Sequence, residues 1–166
     1  MPTRKEAPRT AAPTKPAGAP KPSGGATRKD PRILMVEDNA QDVRLMQEGF
    51  KEVGFQPKVE ACRDGETAWA RIRVAAGPLR PDMVLLDLNL PGMSGHELLK
   101  RIQADAGLRN LPVVILSSSN HPDDVLQARL SKAHAYFLKP FSMAGYVALA
   151  RDLREFWNAG LPSANP

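Results

Sequence analysis

Four short apolar runs each end in a charged or reactive side chain. Ile33–Val36 is followed by Glu37 and Asp38, and Met83–Leu86 by Asp87. Val113–Leu116 is followed by Ser117, and Tyr136–Leu138 by Lys139 and Pro140. A continuous apolar run of this length has no polar face to turn to water. Such strands suit a parallel sheet covered by helices on both sides. In an open sheet of that kind, ligands bind at the carboxyl ends of the strands. The topology would therefore gather three carboxylates, a hydroxyl and an ammonium at one edge.

The intervening segments support the same architecture. Val43, Met46, Phe50 and Val53 recur at helical spacing, and Gly54 ends the pattern. Val59 and Ala61 alternate with Lys58 and Glu60, as an edge strand would. Trp69 and Ile72 are expected on the inner face of a second helix. Ser94 and Glu97 form a capping-box pattern ahead of a helix carrying Leu98, Leu99 and Ile102. A fourth helix starts near Pro122 and carries Val125, Leu126 and Leu130. Ala135–Leu138 is the fifth strand, and Ser142 caps a last helix from about Met143 to Asn158. Residues 75–81, Ala-Ala-Gly-Pro-Leu-Arg-Pro, read as a longer loop before the third strand. The whole is an α/β chain of five βα units.

Charge and composition set the boundaries. The net charge of +5 resides in residues 1–31, which carry seven basic and two acidic side chains; the remainder is balanced. That segment has seven prolines and no Ile, Leu, Val or Phe. It cannot bury enough apolar surface to offset the entropy of ordering it, and is expected to be a disordered basic tail. The domain is expected over residues 32–158, with 159–166 as a short extension too brief for an output or DNA-binding domain. The single cysteine, Cys62, allows no internal disulfide and suits a small buried hydrophobe in a reducing compartment. No apolar run approaches the length of a membrane span and no secretory signal is evident, so a cytoplasmic location is expected.

The strand-end residues point to phosphoryl chemistry. A carboxylate attacking phosphorus in line brings negative oxygens together, and a hard cation relieves the repulsion. Mg²⁺ takes oxygen ligands and keeps several waters. Asp38 and Asp87 are the expected ligands, with Glu37 acting through water and the Asn89 backbone carbonyl as a neutral donor. Lys139 would pair with a phosphoryl oxygen, and the Ser117 hydroxyl would bond another. Asp87 is the expected phosphoacceptor. His96, His121 and His134 lack metal-ligand spacing and are expected at the surface.

These segments together resemble the receiver domains of two-component response regulators. Glu37-Asp38 is similar to the family's acidic pair, and Leu85–Gly92 to its phosphoacceptor strand and loop. Val114–Ser118 is similar to the switch-hydroxyl strand, and Tyr136–Phe141 to the final strand. Ser117 stands where Thr is commoner. The resemblance spans residues 32 to about 158. It implies a flavodoxin-like five-stranded parallel sheet in the order 2-1-3-4-5. It also implies a cis bond at Pro140, and a Tyr136 ring that turns inward when Ser117 moves toward phosphate.

Within the family, Asp42–Leu45, the longer loop before Asp87, Phe156-Trp157 and Leu161-Pro162 resemble stand-alone receivers that serve phytochrome-type histidine kinases. The implied partner is a sensor histidine kinase, with a bacteriophytochrome as the specific form. The chain is expected to be a phosphoacceptor signalling protein rather than a turnover enzyme, catalysing only its own phosphorylation and slow dephosphorylation. The alternative is a phosphotransfer intermediate or phosphate sink in a relay. A haloacid-dehalogenase-like phosphatase needs a second acid two residues after the nucleophile, where Asn89 stands.

The last helix carries an apolar face wider than an ordinary surface helix needs. Tyr146, Leu149, Leu153, Phe156 and Trp157 are expected to form a partner face. A homodimer through the last helix and fifth strand would bury it.

Overall fold

The computed structural model describes residues 29–75, 77–119 and 121–160. The elements run β1 (Arg32–Val36), α1 (Ala40–Glu52), β2 (Lys58–Cys62), α2 (Gly65–Val74), β3 (Met83–Leu86) and α3 (Gly95–Ala104). They continue with β4 (Val113–Ser117), α4 (Pro122–Leu130), β5 (Ala135–Leu138) and α5 (Met143–Asn158). A 3₁₀ turn at Gly77–Leu79 occupies part of the expected loop before β3. The five strands form one parallel sheet in the order β2-β1-β3-β4-β5, so the expected fold class holds.

The strands carry two cores because successive side chains point to opposite faces. Leu34, Val36, Val84, Leu86, Val113 and Ile115 pack with α2, α3 and Ala128 of α4. Ile33, Met35, Met83, Leu85, Val114 and Leu116 pack with α1 and α5 on the other side. Both faces of β1, β3 and β4 are thus dry, which accounts for their unbroken apolar sequences.

Close approaches fix two helices. A Cβ on Gly49 of α1 would lie 2.7 Å from the Tyr146 carbonyl oxygen of α5, so glycine lets these helices meet backbone to backbone. A Cβ on Gly95 would collide with the Asp87 carbonyl, so the start of α3 rests directly on the end of β3. Ser142 accepts the Gly145 N–H and caps α5, while the carbonyl of Val53 at the end of α1 accepts from the Arg154 guanidinium.

Several expectations need correction. Ser94 accepts the Glu97 N–H, but the Glu97 carboxylate turns to Arg101 at 2.7 Å, so only half the capping box forms. In α4 the buried residue is Ala128, and Leu126 and Leu130 are exposed. The α5 face is not spare surface: Tyr146, Leu149, Leu153 and Trp157 are buried against α1 and the sheet, and Phe156 is half-buried beside them. The wide apolar face serves the chain's own core, because α1 packs closely enough to cover it. The expected cis bond at Pro140 is absent, since no peptide bond among the described residues is cis. The trans form is the ordinary preference of an X–Pro bond, by about 0.5–1 kcal/mol. His134 is half-buried, its Nδ1 accepting the Val113 N–H at 3.2 Å.

Lys29–Pro31, read with the tail, are held against the domain. Trp157 Nε1 donates to the Lys29 carbonyl, the Gln56 N–H to Asp30, and the Lys58 N–H to the Pro31 carbonyl. The remaining expectations for the tail and the C-terminal extension concern residues 1–28 and 161–166, outside the described residues.

Candidate functional site

Four of the five strands each deliver one group to the carboxyl edge. Glu37 follows β1, Asp87 follows β3, Ser117 closes β4 and Lys139 follows β5. Parallel pairing brings these ends together: Val36 stands opposite Leu86, Leu86 opposite Ile115, and Ser117 opposite Leu138. Glu37 and Asp87 are 2% and 4% exposed, and Ser117 is fully buried. Asp38 is exposed.

The Lys139 ammonium is the centre of the arrangement. It bonds Glu37 Oε2 at 2.6 Å, Asp87 Oδ2 at 2.7 Å and Asp42 Oδ2 at 3.1 Å. An ammonium has three donors, and here each meets a carboxylate. The second oxygens are engaged too. Asp87 Oδ1 accepts the Asn89 N–H at 3.0 Å, and Glu37 Oε1 accepts the Asn39 N–H at 3.1 Å. Those two bonds fold the following loops back over the acids and fix the carboxylate planes.

Burial penalises the charge on Glu37 by more than Lys139 relieves it, and Asp87 adds repulsion, so its carboxyl is pushed up to about 7. Burial alone would pull Lys139 down, but the bonds from Asp87 and Glu37 outweigh it and hold the ammonium well above the usual lysine range. Tyr136 is pushed up, chiefly by burial. Its hydroxyl donates to the Ser119 carbonyl at 2.6 Å, while Ser117 Oγ accepts the Ser119 N–H at 3.2 Å. Tyr136 and Ser117 thus both bond the backbone of Ser119.

Glu37, Asp38 and Asp87 offer ligand oxygens that all lie within 4.8 Å of one another. Three hard oxygen donors, two buried and one open to solvent, fit a divalent cation that retains water. Three carboxylates meet a single ammonium and Asp38 stands beside two of them, so the pocket also has charge to spare for a cation.

The structure brings together Glu37, Asp38, Asp87 and Lys139, with Ser117 closing the strand between the last two. It takes Tyr146, Leu149, Leu153 and Trp157 away from the expected partner face. Asp42 was not singled out for the site from sequence. Its signal is weak: an acid in the first turn of α1 ordinarily complements the helix dipole. Only the fold shows that this turn faces Lys139.

Residues 33–151 match the description of the response regulator receiver domain. The chain belongs to that family. This receiver is 37% identical over 127 residues to the probable methanogenesis regulatory protein FilR2 of Methanothrix harundinacea strain 6Ac, covering 75% of this chain and 82% of that protein. It is 33% identical over 137 residues to the response regulator Rcp1 of Synechocystis sp. strain PCC 6803, covering 80% and 93%. Among solved structures, it superimposes on the phosphorylated cyanobacterial phytochrome response regulator RcpA with a TM-score of 0.72 at 36% identity, covering 81% of this chain and all of that one. The Mn²⁺-bound form of Rcp1 superimposes with a TM-score of 0.70 at 31% identity, covering 80% and 98%. The receiver is thus similar to phytochrome response regulators across nearly their whole length. No helix among its described residues is long and apolar enough to cross a membrane.

Proposed function

We propose that this receiver takes a phosphoryl group from a sensor histidine kinase onto Asp87 and passes the signal on by protein contact. The observation that carries the reading is the engagement of a buried Asp87 by Lys139 at 2.7 Å, beside the Glu37–Asp38–Asp87 cluster. The Asp87 carboxylate attacks the phosphorus of a phosphohistidine, the P–N bond breaks, and the leaving imidazole takes up a proton. Lys139 pairs with one phosphoryl oxygen and the Ser117 hydroxyl donates to another. Asp38, Asp87 and the Asn89 carbonyl would hold Mg²⁺, with Glu37 acting through water. When bound, the ion would neutralise the oxygens that converge on phosphorus.

Phytochrome response regulators are among the relatives, and this supports a bacteriophytochrome as the kinase. The homodimer remains a proposal, but its surface moves. Exposed apolar side chains remain at Leu126 and Leu130 of α4, at Leu138 of β5 and at Phe141 just after it.

Acetyl phosphate with Mg²⁺ should add one acid-stable, base-labile phosphoryl group. Mass spectrometry should place it on Asp87, and Asp87→Asn should take up none. Label persisting in a folded Asp87→Asn protein would overturn the assignment. Asp38→Ala should weaken Mg²⁺ binding while leaving the fold intact.

A further inference from the structure

The third partner of Lys139 lies outside the metal-type cluster. Glu37 and Asp87 belong to the set of close carboxylates, and Asp42 does not. Asp42 is also held from behind: the Tyr146 hydroxyl donates to its Oδ1 at 3.1 Å, while its Oδ2 accepts from Lys139. Tyr146 is 2% exposed, at the seam where Gly49 lets α1 and α5 touch. Both Asp42 oxygens are therefore committed, and the carboxylate cannot swing toward the cluster without losing a bond.

We propose that Asp42 is a positioning residue for the Asp87 chemistry: anchored by Tyr146, it holds the Lys139 ammonium when a metal ion and a phosphoryl group take the oxygens of Glu37 and Asp87. This rests on the Asp87 reading above. Lys139 is only 12% exposed, and an ammonium stripped of partners there would be costly. If Glu37 and Asp87 were its sole acceptors, every oxygen given to the cation would be taken from Lys139. Asp42 supplies an acceptor that the cation does not need. The ammonium keeps one fixed bond and turns its other donors to the phosphoryl oxygen. The same bonds tie the site to α5, so the position of Tyr146 is coupled to how Lys139 is held.

The full chain tests this with two readouts, Mg²⁺ affinity from amide chemical shifts and phosphate uptake from acetyl phosphate. Asp42→Ala should raise the Mg²⁺ dissociation constant about fivefold, the worth of a partly exposed ion pair, and lower the maximal uptake rate. In a Lys139→Met background the same substitution should change affinity by less than about twofold, because it then acts only through its distant field. An equal change in both backgrounds would overturn the proposal. Tyr146→Phe, which keeps the ring, should weaken Mg²⁺ binding in the same direction by a smaller factor, even if the double variant fails to fold. Wild-type affinity in Tyr146→Phe would overturn the anchoring. A wild-type protein that takes up no phosphate would overturn the Asp87 reading and this one together. Normal uptake by both wild type and Asp42→Ala would overturn this one alone.

Discussion

Lys139 Nζ lies 2.7 Å from Asp87 Oδ2, although β4 separates the strands that carry these two residues. The lysine follows edge strand β5 and reaches across the end of β4 to the end of β3. That reach holds an ammonium among buried carboxylates, with the lysine side chain only 12% exposed. It also makes Lys139 the main compensation for the pocket's negative charge.

Removing the ammonium should therefore be expensive. Lys139→Met leaves Glu37 and Asp87 buried with no cation, and breaking a buried pair on one side costs about 3–5 kcal/mol. Urea denaturation in chelator should show a loss of that order, and Mg²⁺ should restore part of it. A loss below about 1 kcal/mol would mean that water, not Lys139, compensates the acids.

Glu37 gives the metal-free protein a pH dependence of definite sign. Its folded value of about 7 lies above the ordinary value of 4.5, so the folded state holds the proton more tightly. Stability from this group is complete below about 4.5 and lost as pH rises toward 7. The loss should be on the order of 1–3 kcal/mol across that window. Glu37→Gln should remove this component. The measurement is the difference between wild type and Glu37→Gln in urea at pH 5 and pH 7.5. Mg²⁺, which favours the ionised form, should stabilise wild type more at the higher pH.

Signal spread should depend on Ser117 and Tyr136. In the present state the Tyr136 hydroxyl is tied to the Ser119 carbonyl, and Ser117 Oγ to the Ser119 N–H. Phosphate on Asp87 would draw the Ser117 hydroxyl away from that N–H and loosen the segment that holds Tyr136, a two-state element biased by a local charge. Ser117→Ala should still accept phosphate, but amide exchange around residues 117–146 should change less than in wild type. Equal changes in both proteins would separate the switch from phosphorylation.

The legible part of this chain was its strand ends. Continuous apolar runs fix where buried strands stop, and the next residue is then at the sheet edge whatever the helices do. That is why Glu37, Asp87, Ser117 and Lys139 were found from sequence, and why Ala135–Leu138 and Met143–Asn158 fell where expected. Helix faces were less legible, because periodicity shows that a face is apolar and not what covers it. The face of α5 looked too wide for one sheet, but Gly49 brings α1 close enough to bury the surplus. In α4, Leu126 and Leu130 lie off the inward line that Ala128 occupies. Asp42 was hidden for a related reason: a first-turn acid has a sufficient local role, so nothing in its sequence context points to Lys139.

Gly49 offers a direct check on the α1–α5 seam. Gly49→Ala would put a methyl 2.7 Å from the Tyr146 carbonyl, where backbone cannot yield cheaply. The helices should part slightly, at a cost of about 1–3 kcal/mol. Thermal and urea denaturation should both show it. An unchanged midpoint would mean that the seam is looser than this contact implies.

Residues around the fifth strand now separate into two classes with opposite consequences. Leu153 is fully buried against α1 and the sheet, so Leu153→Ala is a core truncation and should cost about 2–5 kcal/mol at any protein concentration. Phe141 is fully exposed, and Leu138 near it is 44% exposed, so neither carries much of the monomer's stability. Phe141→Ser should leave the urea midpoint at low concentration within about 0.5 kcal/mol of wild type. If two copies meet through the fifth strand, Phe141→Ser should shift sedimentation toward monomer at micromolar concentration while Leu153→Ala does not do so in its folded fraction. Sedimentation with and without phosphate on Asp87 reads both variants in one experiment. Wild type running as a monomer in both states would remove the dimer and leave Phe141 to the kinase. A dimer that survives Phe141→Ser would place the contact on another face, and half-buried Phe156 of α5 is then the next residue to vary.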